Sequence, residues 1–294
     1  MLYIPASTQQ DGKESGKNIG FEIFDRGSSP LKVTSEGEGV IEYFLKMQEV
    51  RTELERFCDT VMGQRKCDLS IGAPSYFCTH VLPPLISAFQ LENPGYHIKL
   101  METNDNDLRK FLKTGIVDIG LSVEPNMPPE LSTFVLKNET IILAVPVEYA
   151  INRELKEYML SYDQVCSGQF RDEAIEGISL ARLREERFLF LKQGNDMYRR
   201  GMKICRDAGF QPNIVMELDQ LLSAYYLAAA GEGVAFIRAS IPFYTKEFRN
   251  QLVYYKIDHP ETLRQIRVFY NDSIRINAKL DKFIQFMKNY PLPG

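Results

Sequence analysis

Short hydroxyl and amide side chains recur at four strand-to-helix turns of this chain, where they could hold a small solute. Ser75 and Tyr76 follow the run Asp68–Ala73, and Thr103 and Asn104 follow His97–Glu102. Ser122 closes Val117–Ser122, and Gln193 and Asn195 follow Phe188–Leu191. In an open α/β sheet, ligands collect beyond the carboxyl ends of the strands, where helix N-termini offer unpaired N–H groups and a partial positive charge. Hydroxyls and amides there suit a small polar or anionic ligand. Each residue alone is also an ordinary helix cap. The repetition at matched positions is what predicts a cleft.

Catalytic chemistry has little support. The sequence contains no G-x-S-x-G, P-loop, G-x-G-x-x-G or H-E-x-x-H. Asp105, Asp107, Asp118 and Glu124 read as solvated or capping carboxylates rather than an acid/base pair. His80, His97 and His259 lie far apart, and the five cysteines are scattered with no C-x-x-C pair. These patterns predict free thiols in a reducing cytoplasm, no metal, no cofactor and a binding protein rather than an enzyme.

The elements that must position these turns follow from apolar spacing. Thr34 caps a long helix whose Val40, Tyr43, Met47, Val50, Leu54, Phe57 and Val61 recur at spacings of three and four, an a/d seam. The plainer account of this seam is one amphipathic helix packed on its own domain. The other account is self-association through this seam. Gly63–Lys66 breaks the pattern and reads as a hinge.

Beyond it, strands and helices alternate, which predicts an α/β fold with mainly parallel pairing. Strands are expected at Asp68–Ala73, His97–Glu102, Val117–Ser122, Phe188–Leu191, Asn213–Glu217 and Val234–Ile237. Helices are expected at Cys78–Leu91, Asp105–Thr114, Arg153–Leu160, Asp196–Ala208, Gln220–Ala230 and Asn277–Asn289. Asn93–Glu102 is echoed by Gly209–Glu217, each a turn, a short strand and a terminal glutamate. That echo predicts two similar lobes rather than one continuous sheet, with Thr140–Pro146 and Gln265–Tyr270 crossing between them. Lobe one would hold about 67–146 plus 265–294 and lobe two about 147–264, together the domain 67–294.

Composition narrows the class. The net charge of −4 gives no global basic field for nucleic acid or anionic membrane. No run approaches the ~18 apolar residues of a membrane span. The first residues have no apolar core of signal-peptide type. A cytoplasmic protein without a membrane partner is expected.

The order of these features resembles that of LysR-type transcriptional regulators. Gly20–Arg26 and Leu31–Gly37 resemble the wing and the start of the linker helix in that family. Leu82–Phe89 with Pro94 resembles its first effector-domain helix. Leu112–Gly120 and Ala229–Ile237 resemble matching elements of its two lobes. The likeness runs from about Gly20 to the C-terminus. It implies a winged helix-turn-helix over 1–33 with the wing at 20–33, a dimerising linker helix at 34–62, a two-lobed, periplasmic-binding-protein-like effector domain, and assembly as a homo-dimer or tetramer. By position it implies that Ser75, Tyr76, Thr103, Asn104, Ser122 and Gln193 line the effector cleft, and that Arg26 meets the DNA backbone.

The head departs from the pattern. Leu2–Thr8, including Ser7 and Thr8, resembles the turn into a recognition helix. Gln9–Gly16, however, lacks the apolar spacing of such a helix and carries two glycines, each costing ~1 kcal/mol relative to alanine. Two partner helices are missing ahead of it. Met1–Lys66 holds nine Lys/Arg against eleven Asp/Glu, whereas duplex binding draws on cations at phosphates. A partial or degenerate head is expected, with promoter DNA a partner only if that head works. The competing reading is a solute-binding protein of the same two-lobed fold. That class is exported, and the linker helix has no purpose in it.

Overall fold

In the computed structural model the described residues are 21–25, 32–61, 69–125, 127–271 and 278–292, with only the backbone described at 45, 48, 49, 51–53 and 55–61. Ser7, Thr8, Arg26 and the hinge Gly63–Lys66 lie outside them. Two compact units result: Met1–Lys66 with Lys113–Ile116, and Cys67–Leu112 with Val117–Gly294.

In the first unit, β1 (Phe24–Asp25) pairs antiparallel with β2 (Lys32–Val33), ahead of the 27-residue helix α1 (Ser35–Val61). Thr34 joins them. Its N–H donates to the Ile23 carbonyl at 3.0 Å, its hydroxyl donates to the Glu22 carbonyl at 2.7 Å, and the same oxygen accepts the Gly37 N–H at 2.9 Å. That last bond is the predicted N-cap. Position 37 needs glycine, because a Cβ there would fall 2.2 Å from the Ile23 carbonyl oxygen. Among the described side chains of the α1 seam, Tyr43, Met47, Val50 and Leu54 are 59–70% exposed.

The second unit is a mixed sheet flanked by helices. Its elements are β3 (Leu69–Ala73), a π-turn Phe77–Val81, α2 (Leu82–Glu92), β4 (Ile98–Glu102), α3 (Asp105–Lys113), β5 (Ile119–Ser122) and β6 (Ser132–Pro146). Short α4 (Ile151–Glu154) and α5 (Tyr162–Cys166) lead to β7 (Arg187–Leu191), α6 (Asp196–Asp207), β8 (Asn213–Leu218), α7 (Leu221–Ala229) and β9 (Val234–Arg238). The chain closes with α8 (Ile241–Tyr244), β10 (Leu252–Tyr255), β11 (Leu263–Tyr270) and α9 (Ala278–Asn289).

Strand order is β4-β3-β5-β11-β6-β9-β7-β8, with β10 also on β6, so the strands form one continuous nine-stranded sheet instead of separate ones, because the crossing strands β6 and β11 pair with each other and with both ends. Two parallel triplets, β4-β3-β5 and β8-β7-β9, sit at the two ends. The echoed segments are the edge strands β4 and β8, each parallel to the first strand of its triplet. Between the triplets, β11 pairs antiparallel with β5 and β6, and β6 pairs antiparallel with β9 and β10.

The pairing is therefore mixed rather than mainly parallel, because the crossing strands run against both triplets. β6 is also twice as long as expected. Its first half, Ser132 to Thr140, pairs with β11, and Ile141 to Pro146 pairs with β9 and β10. The expected helix at Arg153–Leu160 is instead α4 followed by a 3₁₀ turn at Lys156–Tyr158. The strand β10 is an addition to the elements expected from apolar spacing.

One apolar core runs through the unit. Every residue of β3, β5 and β9 is buried, as continuous apolar strands covered on both faces should be. At one end Phe89 meets Tyr96, Phe283 and Phe286 edge-on, and at the other Phe188 packs with Phe190, Phe210 and Phe236.

Candidate effector cleft

The turns leaving the parallel strands converge on one cavity. Pro74, Ser75 and Tyr76 reach it from the end of β3, and Val123 from β5. Leu191, Asn195, Asp196 and Met197 reach it from β7 and the start of α6, and Asp219 to Leu222 from β8 and the start of α7. Strand C-termini of both triplets thus face one space, the placement expected of a ligand site in an open α/β sheet. The cavity measures about 100 Å³. At ~10–15 Å³ per water, that is room for roughly seven to ten water-sized groups. A second cavity beside Lys137, Arg171 and Tyr244 measures about 20 Å³, room for about one water.

Three of the seven anticipated cleft residues line the larger cavity: Ser75, Tyr76 and Asn195. Tyr76 is held by a 2.6 Å hydrogen bond between its hydroxyl and that of Ser240. The Arg238 guanidinium lies 4.5 Å from its ring centroid. Burial pushes the Tyr76 hydroxyl well above its usual pKa. Asn195 caps α6, accepting the Met197 N–H at 2.9 Å.

The other four are not among the cavity's lining residues. Ser122 is buried one step behind, donating to Asp105 Oδ1 at 2.5 Å and accepting the Glu124 N–H at 2.9 Å. Asn104 caps α3, its side-chain oxygen accepting the Asp107 N–H at 2.9 Å. The Thr103 hydroxyl turns to the neighbouring Asn104 carbonyl at 3.3 Å. Gln193 is exposed beside Gly194, whose φ of 96° turns the chain toward α6.

A buried charge network forms the floor. Glu139 on β6 accepts from Arg238 Nη1 at 2.7 Å and from Arg264 Nε at 2.6 Å. Arg264 Nη1 then donates to Asp196 Oδ2 at 2.6 Å, and Asp196 also binds Arg199 and Arg200. Burial alone would raise the Glu139 carboxyl, but Arg238 and Arg264 hold it below its usual value. Asp196 is likewise raised by burial and brought below its usual value by Arg264 and Arg200. Both carboxylates are ionised, and both arginines stay charged. Arg238, Arg264, Asp196, Asp105, Asp219 and Gln220 all line the cavity, and strand-end reasoning passes over them as site residues.

A signal exists for Arg264. It shares a strand face with Ile266 and Val268, a charge in the buried register of an apolar alternation.

Other reactive groups are quenched. Burial pushes the Cys78 thiol up to about 11 and that of Cys205 up to about 12. His80 stacks on Tyr244 at 4.8 Å, and burial lowers its pKa. Among the described residues, no group of His, Cys, Asp and Glu could hold a metal ion, and no helix is long and apolar enough to cross a membrane.

Comparison with known proteins decides the family. The LysR substrate binding domain matches residues 63–291. The chain belongs to the LysR family. Over 232 residues it is 27% identical to the HTH-type transcriptional regulator YcgK of Bacillus subtilis, covering 78% of this chain and 69% of that one. Over 238 residues it is 25% identical to the HTH-type transcriptional regulator BenM of Acinetobacter baylyi, covering 80% and 71%. The BenM effector binding domain with its effector benzoate shares the fold, with a TM-score of 0.57 at 21% identity over 76% of this chain and 91% of that one. This LysR-family chain is a transcription regulator controlled by a small-molecule effector, with the two-lobed α/β effector domain of its relatives.

Proposed function

We propose that the effector sits in the cavity at the strand ends and is a small polar molecule bearing at least one anionic group. The observation that carries this reading is the convergence of four strand termini, helix starts and two buried arginines on one space. Ser75, Tyr76 and Asn195 are the proposed direct contacts. Ser122 acts through Asp105, and Thr103, Asn104 and Gln193 stand at the rim. BenM, a relative, takes benzoate, and a small carboxylate of that kind has the charge this reading calls for.

On this reading α1 pairs with α1 of another copy through the open stripe of Tyr43, Met47, Val50 and Leu54, giving a homo-dimer or a tetramer. Promoter DNA is the macromolecular partner, with Arg26, Ser7 and Thr8 at the contact and binding weakened by the acidic balance of Met1–Lys66. The protein works in the cytoplasm and turns over no substrate. A solute-binding protein is the lesser reading: it shares the lobes but gives α1 no role.

Two measurements test the proposal on the full chain. Ligand-induced thermal shifts should appear in the native protein and vanish in Ser75→Trp, which fills the cavity. A salt-dependent gel shift should show retardation at low salt that fades as salt rises. Absence of retardation at low salt would remove DNA from the reading and leave the effector site standing.

A further inference from the structure

The cavity is not lined by one sign of charge, and this restricts what it can hold. Asp105, Asp196 and Asp219 line it together with Arg238 and Arg264. A purely anionic ligand would meet three carboxylates, and a purely cationic one two guanidinium groups. Two of the carboxylates are already answered. Asp196 is held by Arg264 and Arg200, and Asp219 by Lys192 at 2.8 Å. Asp105, the first residue of α3, accepts instead from the neutral hydroxyl of Ser122, and among the described residues no lysine or arginine pairs with it.

Two unpartnered donors are buried behind the wall. Arg264 has a side chain only 2% exposed, and its Nη2 has no hydrogen-bond partner among the described residues. Nε of Arg238, 7% exposed, is in the same position. Buried N–H groups of a charged side chain normally find acceptors. Beside them begins α7. Its N-cap Gln220 makes no side-chain cap bond, and Gln220 and Leu221 both line the cavity. An uncapped N-terminal turn of a nine-residue helix adds N–H donors and a partial positive charge at the cavity. The start of α6 offers no such pole, since Asn195 caps it and Asp196 neutralises it.

The geometry points to a zwitterionic ligand of the α-amino acid class. Its carboxylate would lie against Arg264 and the first turn of α7, and its ammonium against Asp105. The cavity volume of about 100 Å³ fits a molecule of roughly seven to ten heavy atoms at ~10–15 Å³ each. This inference rests on the effector reading and narrows its chemistry.

The test is calorimetric titration of the full chain with the proteinogenic α-amino acids, then with the N-acetyl derivative and the amide of any binder. The expected result is that one or more amino acids bind and that masking either end weakens binding by at least about tenfold. Asp105→Asn should weaken the amino acid by a similar factor and leave its N-acetyl derivative unaffected. Asp258→Asn, at an exposed carboxylate outside the cavity lining, should change neither, and it serves as a matched folded control. If no amino acid binds at millimolar concentration, or the N-acetyl derivative binds as well as its parent, the zwitterion inference is overturned. A simple carboxylate that binds the native chain more tightly than any amino acid and fails with Ser75→Trp would overturn it while preserving the effector cleft. An amino acid whose binding survives Ser75→Trp would overturn both.

Discussion

Arg264 Nε donates to Glu139 Oε2 at 2.6 Å, with side chains only 2% and 5% exposed. This bond ties β11 to β6 directly beneath the cavity, and the other arm of the same guanidinium reaches Asp196 at the start of α6. One side chain therefore connects both crossing strands to a helix that begins at the cavity.

Replacing Arg264 with methionine should destabilise the second unit by about 3–5 kcal/mol, because it leaves two buried carboxylates short of a partner. The value should fall at the low end. Glu139 keeps Arg238, and Asp196 keeps Arg200. Urea unfolding read by near-ultraviolet dichroism checks this. An unchanged midpoint would mean that the network contributes nothing net.

The same carboxylates set an acid limit. Glu139 and Asp196 are held below their ordinary values of 4.5 and 3.8 in the folded chain. The folded state therefore binds fewer protons than the unfolded one, and stability rises with pH through this range. The contribution is complete above the ordinary values and is lost as pH falls below them through the depressed folded values. Urea midpoints across an acid pH series should drop in that window, and the drop should be shallower in Glu139→Gln.

Tyr76 and Ser240 should behave as one unit. Their hydroxyls share a 2.6 Å bond at the cavity wall. Tyr76→Phe and Ser240→Ala should each cost about 1 kcal/mol. The double variant should cost about the same as either single one, since the shared bond can be lost only once. Full additivity in the cycle would show that the two groups are uncoupled.

The stripe on α1 gives a prediction about assembly. Met47→Glu with Leu54→Glu places like charges along a seam that is otherwise apolar, and it should convert the assembled species to monomer. Sedimentation velocity reads the change, and effector-induced thermal shifts should persist. A native chain that is already monomeric at all concentrations would refute self-association through this face.

Much of the architecture is legible because it is periodic. The spacing of Val40 to Val61 marks α1, Thr34 its cap, and the echo between Asn93–Glu102 and Gly209–Glu217 the two edge strands. The halves of β6 differ in legibility for a physical reason. Ile141 to Val145 are all buried and read as a continuous apolar run, whereas Ser132 to Glu139 alternate and include Lys137, Asn138 and Glu139. Glu139 belongs to a network assembled from β9, β11 and α6, which no local pattern encodes.

The candidate site is legible at its rim and hidden at its floor. Ser75, Tyr76 and Asn195 follow from strand ends alone. Asn104 is occupied with capping, the ordinary fate of such residues. Arg238 and Arg264 come from strands whose sequence reads as core, and only the fold brings them to the cavity.

The length of β6 has a mechanical consequence. Lobes joined by slack chain can swing apart freely, whereas here a continuous ribbon of paired backbone passes from one triplet to the other. Moving one triplet against the other therefore means deforming that ribbon, which carries Glu139 at its midpoint.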